Sequence, residues 1–225
     1  MIACLFSGGK DSTLALHKAW AQGQRAELLI TMRPENDASY MFHKPNIDKT
    51  ALQAQAMGIR QVFADTKGEK EKELADLEKT FVGNKVDVLI TGAVASTYQR
   101  ERIQAICGRL GIKHVAPLWG IDPIDELSEL AERYDAIITH VSAEGFDQSF
   151  LGAHINAQTI ERLIALNRRY RISLIFEGGE AESFVLDAPL FKRRIEVRKS
   201  HTVMEGTNGT YIIDDAALVE KPPRQ

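Results

Sequence analysis

Residues 4–20 read CLFSGGKDSTLALHKAW. An apolar run from Ile2 to Phe6 breaks at Ser7-Gly8-Gly9-Lys10-Asp11-Ser12, and helical spacing then begins at once with Leu14, Ala15, Ala19 and Trp20, to stop near Gly23. The pattern predicts a buried strand, a glycine-rich turn and a helix. A turn of this kind directs several backbone N–H groups and the positive end of the helix dipole at one point, which is an anion site. Gly8 and Gly9 let an anion approach the main chain, Lys10 adds a cation, and Ser7 and Ser12 add hydroxyls. Asp11 beside an anion calls for a divalent metal between the two. A metal-bound polyphosphate meets all of these demands, and a turn that merely caps its helix through Ser or Asp is the plain alternative. The string is not the GxxxxGK[ST] loop, because Asp11 follows the lysine, and the chain contains no GxGxxG.

Working outward, apolar runs alternate with helical patterns. Strands are predicted at 26–32, 60–66, 86–94 (closing at Gly92) and 113–119. Helices are predicted at 46–58, 69–81 and 98–111. This alternation predicts βαβ units and a parallel sheet, whose ligands bind beyond the carboxyl ends of the strands. Both SGGKDS (7–12) and TGAVAS (91–96) fall there. After Trp119, which reads as closing the core, the texture changes. Asp122 and Pro123 open a helix, a strand and a second helix follow, and then come consecutive strands with Asn208-Gly209 as a hairpin turn. The predicted fold is α/β, a Rossmann-like parallel-sheet nucleotide domain over residues 1–120 with a smaller α+β domain over 121–225.

Composition is that of a soluble globular chain, with 44% hydrophobic and 26% charged residues and a net charge of -3. That charge gives no general pull toward nucleic acid or a membrane surface. Cys4 and Cys107 form no metal-ligand or disulfide spacing, read as core residues and suit a reducing cytoplasm. No stretch approaches the ~20 apolar residues of a membrane span, and the N-terminus has no signal-peptide pattern.

Further candidates come from local chemistry. Glu177, Gly178, Glu180, Glu182 and Asp187 crowd FEGGEAESFVLDAPLF (176–191), an acidic stretch beside two glycines that suit close backbone approach to a ligand. Gly92 and Ala93 end a strand with small residues that suit packing against a nucleotide. Tyr98 and Arg102 follow one turn on, and Arg102 can neutralise a phosphate. Met32 follows the second strand, where it can meet a base or fill the core. His43, in YMFHKPN, is a lone histidine that fits a structural role better than a catalytic one.

SGGKDS resembles the SGGxDS pyrophosphate loop (PP-loop) of the N-type ATP pyrophosphatases. With SYMFHKPNI (39–47), TGAVASTYQRERIQAIC (91–107), APLWG (116–120) and FEGGEAESFVLDAPLF, the chain resembles the compact form of the diphthine–ammonia ligase family. Ala181 departs from the pattern, standing where many members carry a bulky residue. The resemblance implies ATP and Mg2+ as cofactors. It implies an acyl-adenylate route with AMP and pyrophosphate as products. The implied substrates are diphthine on translation elongation factor two and ammonium. Nucleic acid and membrane partners are not expected, and a homodimer is compatible with the sequence. The implied catalytic residues are Lys10, Asp11, Glu180 and Glu182, with Asp11 toward the metal. Ser7, Gly8, Gly9, Lys10, Asp11, Ser12, Met32, Gly92 and Ala93 are implied for the nucleotide. Tyr98, Arg102, Glu177, Gly178, Glu180, Glu182 and Asp187 are implied for the acceptor. The competing readings are another adenylating enzyme of the superfamily, acting on tRNA or a small metabolite, and a module that binds ATP without chemistry. The cysteine pair that tRNA thiolation often uses is absent, as is an excess of basic residues.

Overall fold

The structure is a computed structural model that describes residues 1–34, 46–66 and 70–222. His43 and most of the 39–47 stretch lie outside the described residues. Two compact units are resolved: Met1–Ser7 with Asp11–Gly120, and Gly8–Lys10 with Ile121–Gln225. The division therefore falls near residue 120, but the tip of the first turn is counted with the second unit.

The first unit is a parallel sheet. Its strands are β1 (Ile2–Leu5), β2 (Leu28–Pro34), β3 (Arg60–Thr66), β4 (Val88–Ile90) and β5 (Lys113–Val115), in the order β3-β2-β1-β4-β5. All neighbours run parallel, with Cys4 opposite both Leu29 and Ile90. The order reverses between β1 and β4, so this pair marks the topological switch point where doubly wound sheets bind ligands. The helices are α1 (Lys10–Ala21), α2 (Thr50–Met57), α3 (Lys70–Gly83) and α4 (Thr97–Leu110). Leu77 and Phe81, four apart on α3, bury one stripe with Ile103, Ile106 and Cys107 of α4 against Ala3, Leu28, Ile30 and Leu89. Each such large apolar side chain contributes about 1.5–3 kcal/mol on burial. Gly58 and Gly111, both at positive φ, end α2 and α4 as the sequence predicts.

The second unit pairs α5 (Pro123–Arg133) and α6 (Ala157–Tyr170) with a four-stranded antiparallel sheet. Its strands are β6 (Asp135–Val141), β7 (Ala181–Asp187), β8 (Arg194–Glu205) and β9 (Asn208–Val219), ordered β7-β6-β9-β8. Asp122 caps α5 by accepting from Ile124 and Asp125 N–H, with Pro123 following it. Among the described residues, no helix is long and apolar enough to cross a membrane.

Several local expectations change. α1 begins at Lys10, so Lys10, Asp11 and Ser12 are first-turn helical residues and only 6–9 form the turn. β2 runs on to Pro34, which puts Met32 inside the strand, 3% exposed and packed in the core. β4 stops at Ile90 and β5 at Val115, and a last hydrogen bond from Thr91 N–H to Val115 O at 2.9 Å closes the pair. The hairpin turn is Gly206-Thr207, since Glu205 pairs with Asn208 and Met204 with Gly209. Positive φ occurs at Gly206 alone of the two, the requirement of a type II′ turn. Gly209 serves packing instead, since a Cβ there would lie 2.3 Å from Met204 Sδ and 2.9 Å from Leu151 Cδ1.

Candidate functional site

The first turn stands on a hydrogen-bonded base in the first unit. Phe6 N–H donates to Ile30 O at 2.8 Å and Thr31 Oγ1 donates to Phe6 O at 2.7 Å. Gln61 Nε2 in turn donates to Thr31 Oγ1 at 2.8 Å. Ser7 Oγ and Ser12 Oγ lie 3.3 Å apart across the turn. Gly92, just past β4, lies against the same backbone: a Cβ on it would stand 2.7 Å from Asp11 C and 2.7 Å from Ser12 N. The helix N-terminus and the end of β4 thus meet at the switch point with no room for a side chain. Backbone N–H groups gathered at a helix N-terminus in this way can accept an anion. Asp11 is half-exposed in the first turn of α1. Among the described residues no group of three or more His, Cys, Asp or Glu could hold a metal ion. A lone carboxylate fits Mg2+ in the manner common for that ion, in which substrate phosphates supply the other anionic ligands.

The tip of the turn belongs to the second unit and lies along β7, the edge strand. Val185 N–H donates to Gly8 O at 3.0 Å, and Lys10 N–H donates to Ser183 Oγ at 3.1 Å. Gly8 takes φ 79°, which lets the chain fold back at that point. Lys10 is not solvent-facing. Its Nζ donates to Glu126 Oε1 of α5 at 2.8 Å, and the two side chains are 1% and 0% exposed. The Phe176 ring lies below the ammonium, 5.5 Å from it to the centroid. Phe176 itself takes φ 68°, an uncommon conformation for a bulky residue.

The acidic stretch is built into the same unit, but its members differ. Glu180 organises its own loop, with Oε1 accepting from Ser173 N–H at 2.7 Å and Oε2 from Gly178 N–H at 2.8 Å. A Cβ at Gly178 would come within 2.7 Å of Glu180 Oε1, so a larger residue there would push the carboxylate off these donors. Ser142 Oγ ties down the loop by donating to Gly179 O at 2.6 Å. Glu177 is half-buried, and its N–H donates to Ser173 Oγ at 3.2 Å. Glu182 stands half-buried on β7 opposite His140. Asp187 ends β7 in an ion pair with Lys221 Nζ at 2.6 Å and also accepts from Ala188 N–H. Ala181 is buried at the start of the strand.

Glu180→Gln replaces one carboxylate oxygen with an amide donor facing a backbone donor. We expect the Ser173–Gly178 loop to loosen and acceptor turnover to fall at least ~10-fold, since a charged hydrogen bond contributes about 1.5–3 kcal/mol. ATP affinity should stay within a factor of about two, an outcome calorimetric titration decides. A loss of ATP affinity with normal turnover at saturating ATP would make the loop a nucleotide site instead.

The other expected residues are spread through the first unit. Arg102 stacks on Tyr98, four residues earlier on α4, with the guanidinium carbon 3.8 Å from the ring centroid. Ala93 is half-buried between β4 and α4. Near it, Thr91 and Trp119 meet two residues that the sequence did not point to, His114 and Arg100. Thr91 Oγ1 and His114 Nε2 are hydrogen-bonded at 2.8 Å, and Arg100 lies over the Trp119 ring at 4.0 Å. Burial, and then the nearby Arg100 charge, hold His114 below the ordinary imidazole value of 6.5. The unfolded chain then binds the proton more readily, so His114 costs stability as pH falls through 6.5 toward the lowered folded value. His114→Gln should therefore flatten the drop in Tm between about pH 7.5 and 5.5. An unchanged slope would refute that assignment. Burial also pushes the Cys107 thiol up to about 11 and raises that of Cys4, as suits core cysteines.

The family described as "Diphthamide synthase N-terminal domain" matches residues 1–114, and "Diphthamide synthase C-terminal domain" matches residues 122–219. A Homo sapiens protein named diphthine–ammonia ligase is 33% identical over 232 residues, covering 92% of this chain and 86% of that protein. The Mus musculus protein of the same name is 31% identical with the same coverage. That of Schizosaccharomyces pombe is 31% identical, covering 98% of this chain and 40% of the longer relative.

Proposed function

The chain belongs to the diphthamide synthase family, and from that premise we propose that it is an ATP-dependent ligase that amidates diphthine on translation elongation factor two to diphthamide, with ammonium as the nitrogen source. The carrying observation is the main-chain cradle at the switch point, where Gly92 backs directly onto Asp11 and Ser12. A carboxylate is a poor electrophile, and activating it requires a phosphate whose leaving group is neutralised. In our reading the polyphosphate of ATP lies on the backbone of residues 7–12, with Asp11 toward Mg2+. The diphthine carboxylate attacks the α-phosphorus and pyrophosphate leaves, forming the acyl adenylate. Ammonium first gives up one proton; the resulting ammonia attacks the acyl carbon, the added nitrogen loses a second proton, and AMP leaves as the amide forms. Glu177 and Glu182 supply negative charge suited to the trimethylammonium end of diphthine or to ammonium. Glu180 holds the loop that carries Glu177.

Product analysis tests this reading. With ATP, ammonium and the diphthine-bearing factor, the protein should release AMP and pyrophosphate in equal amounts. ADP and phosphate as the main products would contradict it.

A further inference from the structure

We infer that Lys10 is an anchor for the turn and not the cation that meets the nucleotide's phosphates, and that Glu126 is a positioning residue acting through it. The inference rests on the nucleotide reading of the turn. Lys10 Nζ already has a carboxylate at 2.8 Å, with both side chains shut off from water. Such a pair presents little net charge. A polyphosphate reaching for the ammonium would have to displace a desolvated carboxylate that has lost its hydration and needs that partner.

The rest of the tip is committed in the same direction. Gly8 O and Lys10 N–H are both held by β7, through Val185 and Ser183. Phe176, in its strained left-handed conformation, puts an aromatic face toward the ammonium. Strain of this kind persists where the surroundings over-determine it. Backbone and side chain together fix Gly8–Lys10 from four residues, Glu126, Phe176, Ser183 and Val185, all of one compact unit. The charge that faces the phosphates then comes from the N-terminus of α1 and the turn's main chain, whose geometry the anchor maintains.

The anchor role makes a prediction that a phosphate-binding role does not. Removing one member takes from the other, a desolvated charge, its opposite-charge partner at 2.8 Å, while replacing both with apolar groups removes both charges together. K10M and E126M should each weaken ATP binding at least ~10-fold and lower Tm, and K10M/E126M should bind ATP at least ~10-fold more tightly than K10M and regain most of the lost Tm. Titration of ATP by calorimetry and thermal melting of the full chain give the two readouts. A double variant with ATP affinity no better than K10M would overturn the inference, because Lys10 would then act on the nucleotide itself. Tighter ATP binding by E126M than by the wild type would also overturn it, since Glu126 would be a competitor of the phosphates. Amide formation by the wild-type chain is a separate readout, so the ligase reading and this inference fail independently.

Discussion

Asp11→Ala should lower ATP turnover about 100- to 1,000-fold while leaving the fold intact, the size expected when one charge-stabilising group is taken from a reacting phosphate. Asp11 sits in the first turn of α1, half-exposed, where an acid interacts favourably with the helix dipole. That interaction amounts to only about 0.3–1 kcal/mol. A carboxylate beside a polyphosphate is repulsive unless a divalent ion lies between them. The substitution should therefore also shift the dependence of turnover on Mg2+ to higher concentration, because the phosphates alone then hold the ion. Circular dichroism and Tm establish that the variant is folded, and initial rates of pyrophosphate release across a Mg2+ series give the result. Normal Mg2+-dependent turnover by the variant would remove Asp11 from the site.

The second large effect is expected from the smallest change. Gly92→Ala adds one methyl group, yet that carbon would stand 2.7 Å from Asp11 C and Ser12 N and 3.0 Å from Asp11 O. These neighbours are backbone, so no flexible side chain can swing aside. The start of α1 or the end of β4 must shift by several tenths of an ångström. Overpacking of this kind costs about 1–3 kcal/mol. Because the displaced atoms are those of the proposed phosphate cradle, ATP affinity should fall by ~10-fold or more, each 1.4 kcal/mol being tenfold. Gly23→Ala is the control, since nothing lies within 4 Å of its added carbon. Its φ of 83° gives it a stability cost but no reason to affect ATP binding. Equal ATP affinity in Gly92→Ala and the wild type would show that the two segments do not form one site.

Much of this architecture is legible in the sequence because the elements of a parallel sheet announce themselves by period and punctuation. The apolar run before Ser7 and the helical spacing after it define the first βα unit, and Gly58 and Gly111 end α2 and α4 where expected. Asp122-Pro123 gives the start of α5 outright. Boundaries read less well where tertiary contacts override local pattern. The run 86–94 is apolar except for Asp87 and Thr91, but only Val88–Ile90 is strand, because Gly92 is drawn onto the backbone of α1. Asn208-Gly209 looks like a turn by composition, yet Gly209 is selected by the packing of Met204 and Leu151.

Within the candidate site, the turn stands out because its candidate residues are adjacent in sequence. Glu126 does not, since its partner lies 116 residues away. A faint signal exists: Glu126 and Leu130 share a face of α5 by i, i+4 spacing and both are buried, so a charge stands on an apolar stripe. The same limit applies to Glu180. Its carboxylate reads as a ligand group in sequence, and only the fold reveals Ser173 and Gly178 as its partners.

The most direct test of the proposed activity follows nitrogen from ammonium into the protein acceptor. The wild-type chain is incubated with ATP, Mg2+, isotopically heavy ammonium and diphthine-bearing elongation factor two, and the modified histidine peptide is read by mass spectrometry. The account predicts one heavy nitrogen in that side chain as an amide, formed with one AMP per modified factor and absent when ATP is omitted. A factor that stays unlabelled while ATP is consumed, or that is labelled without AMP formation, would contradict it.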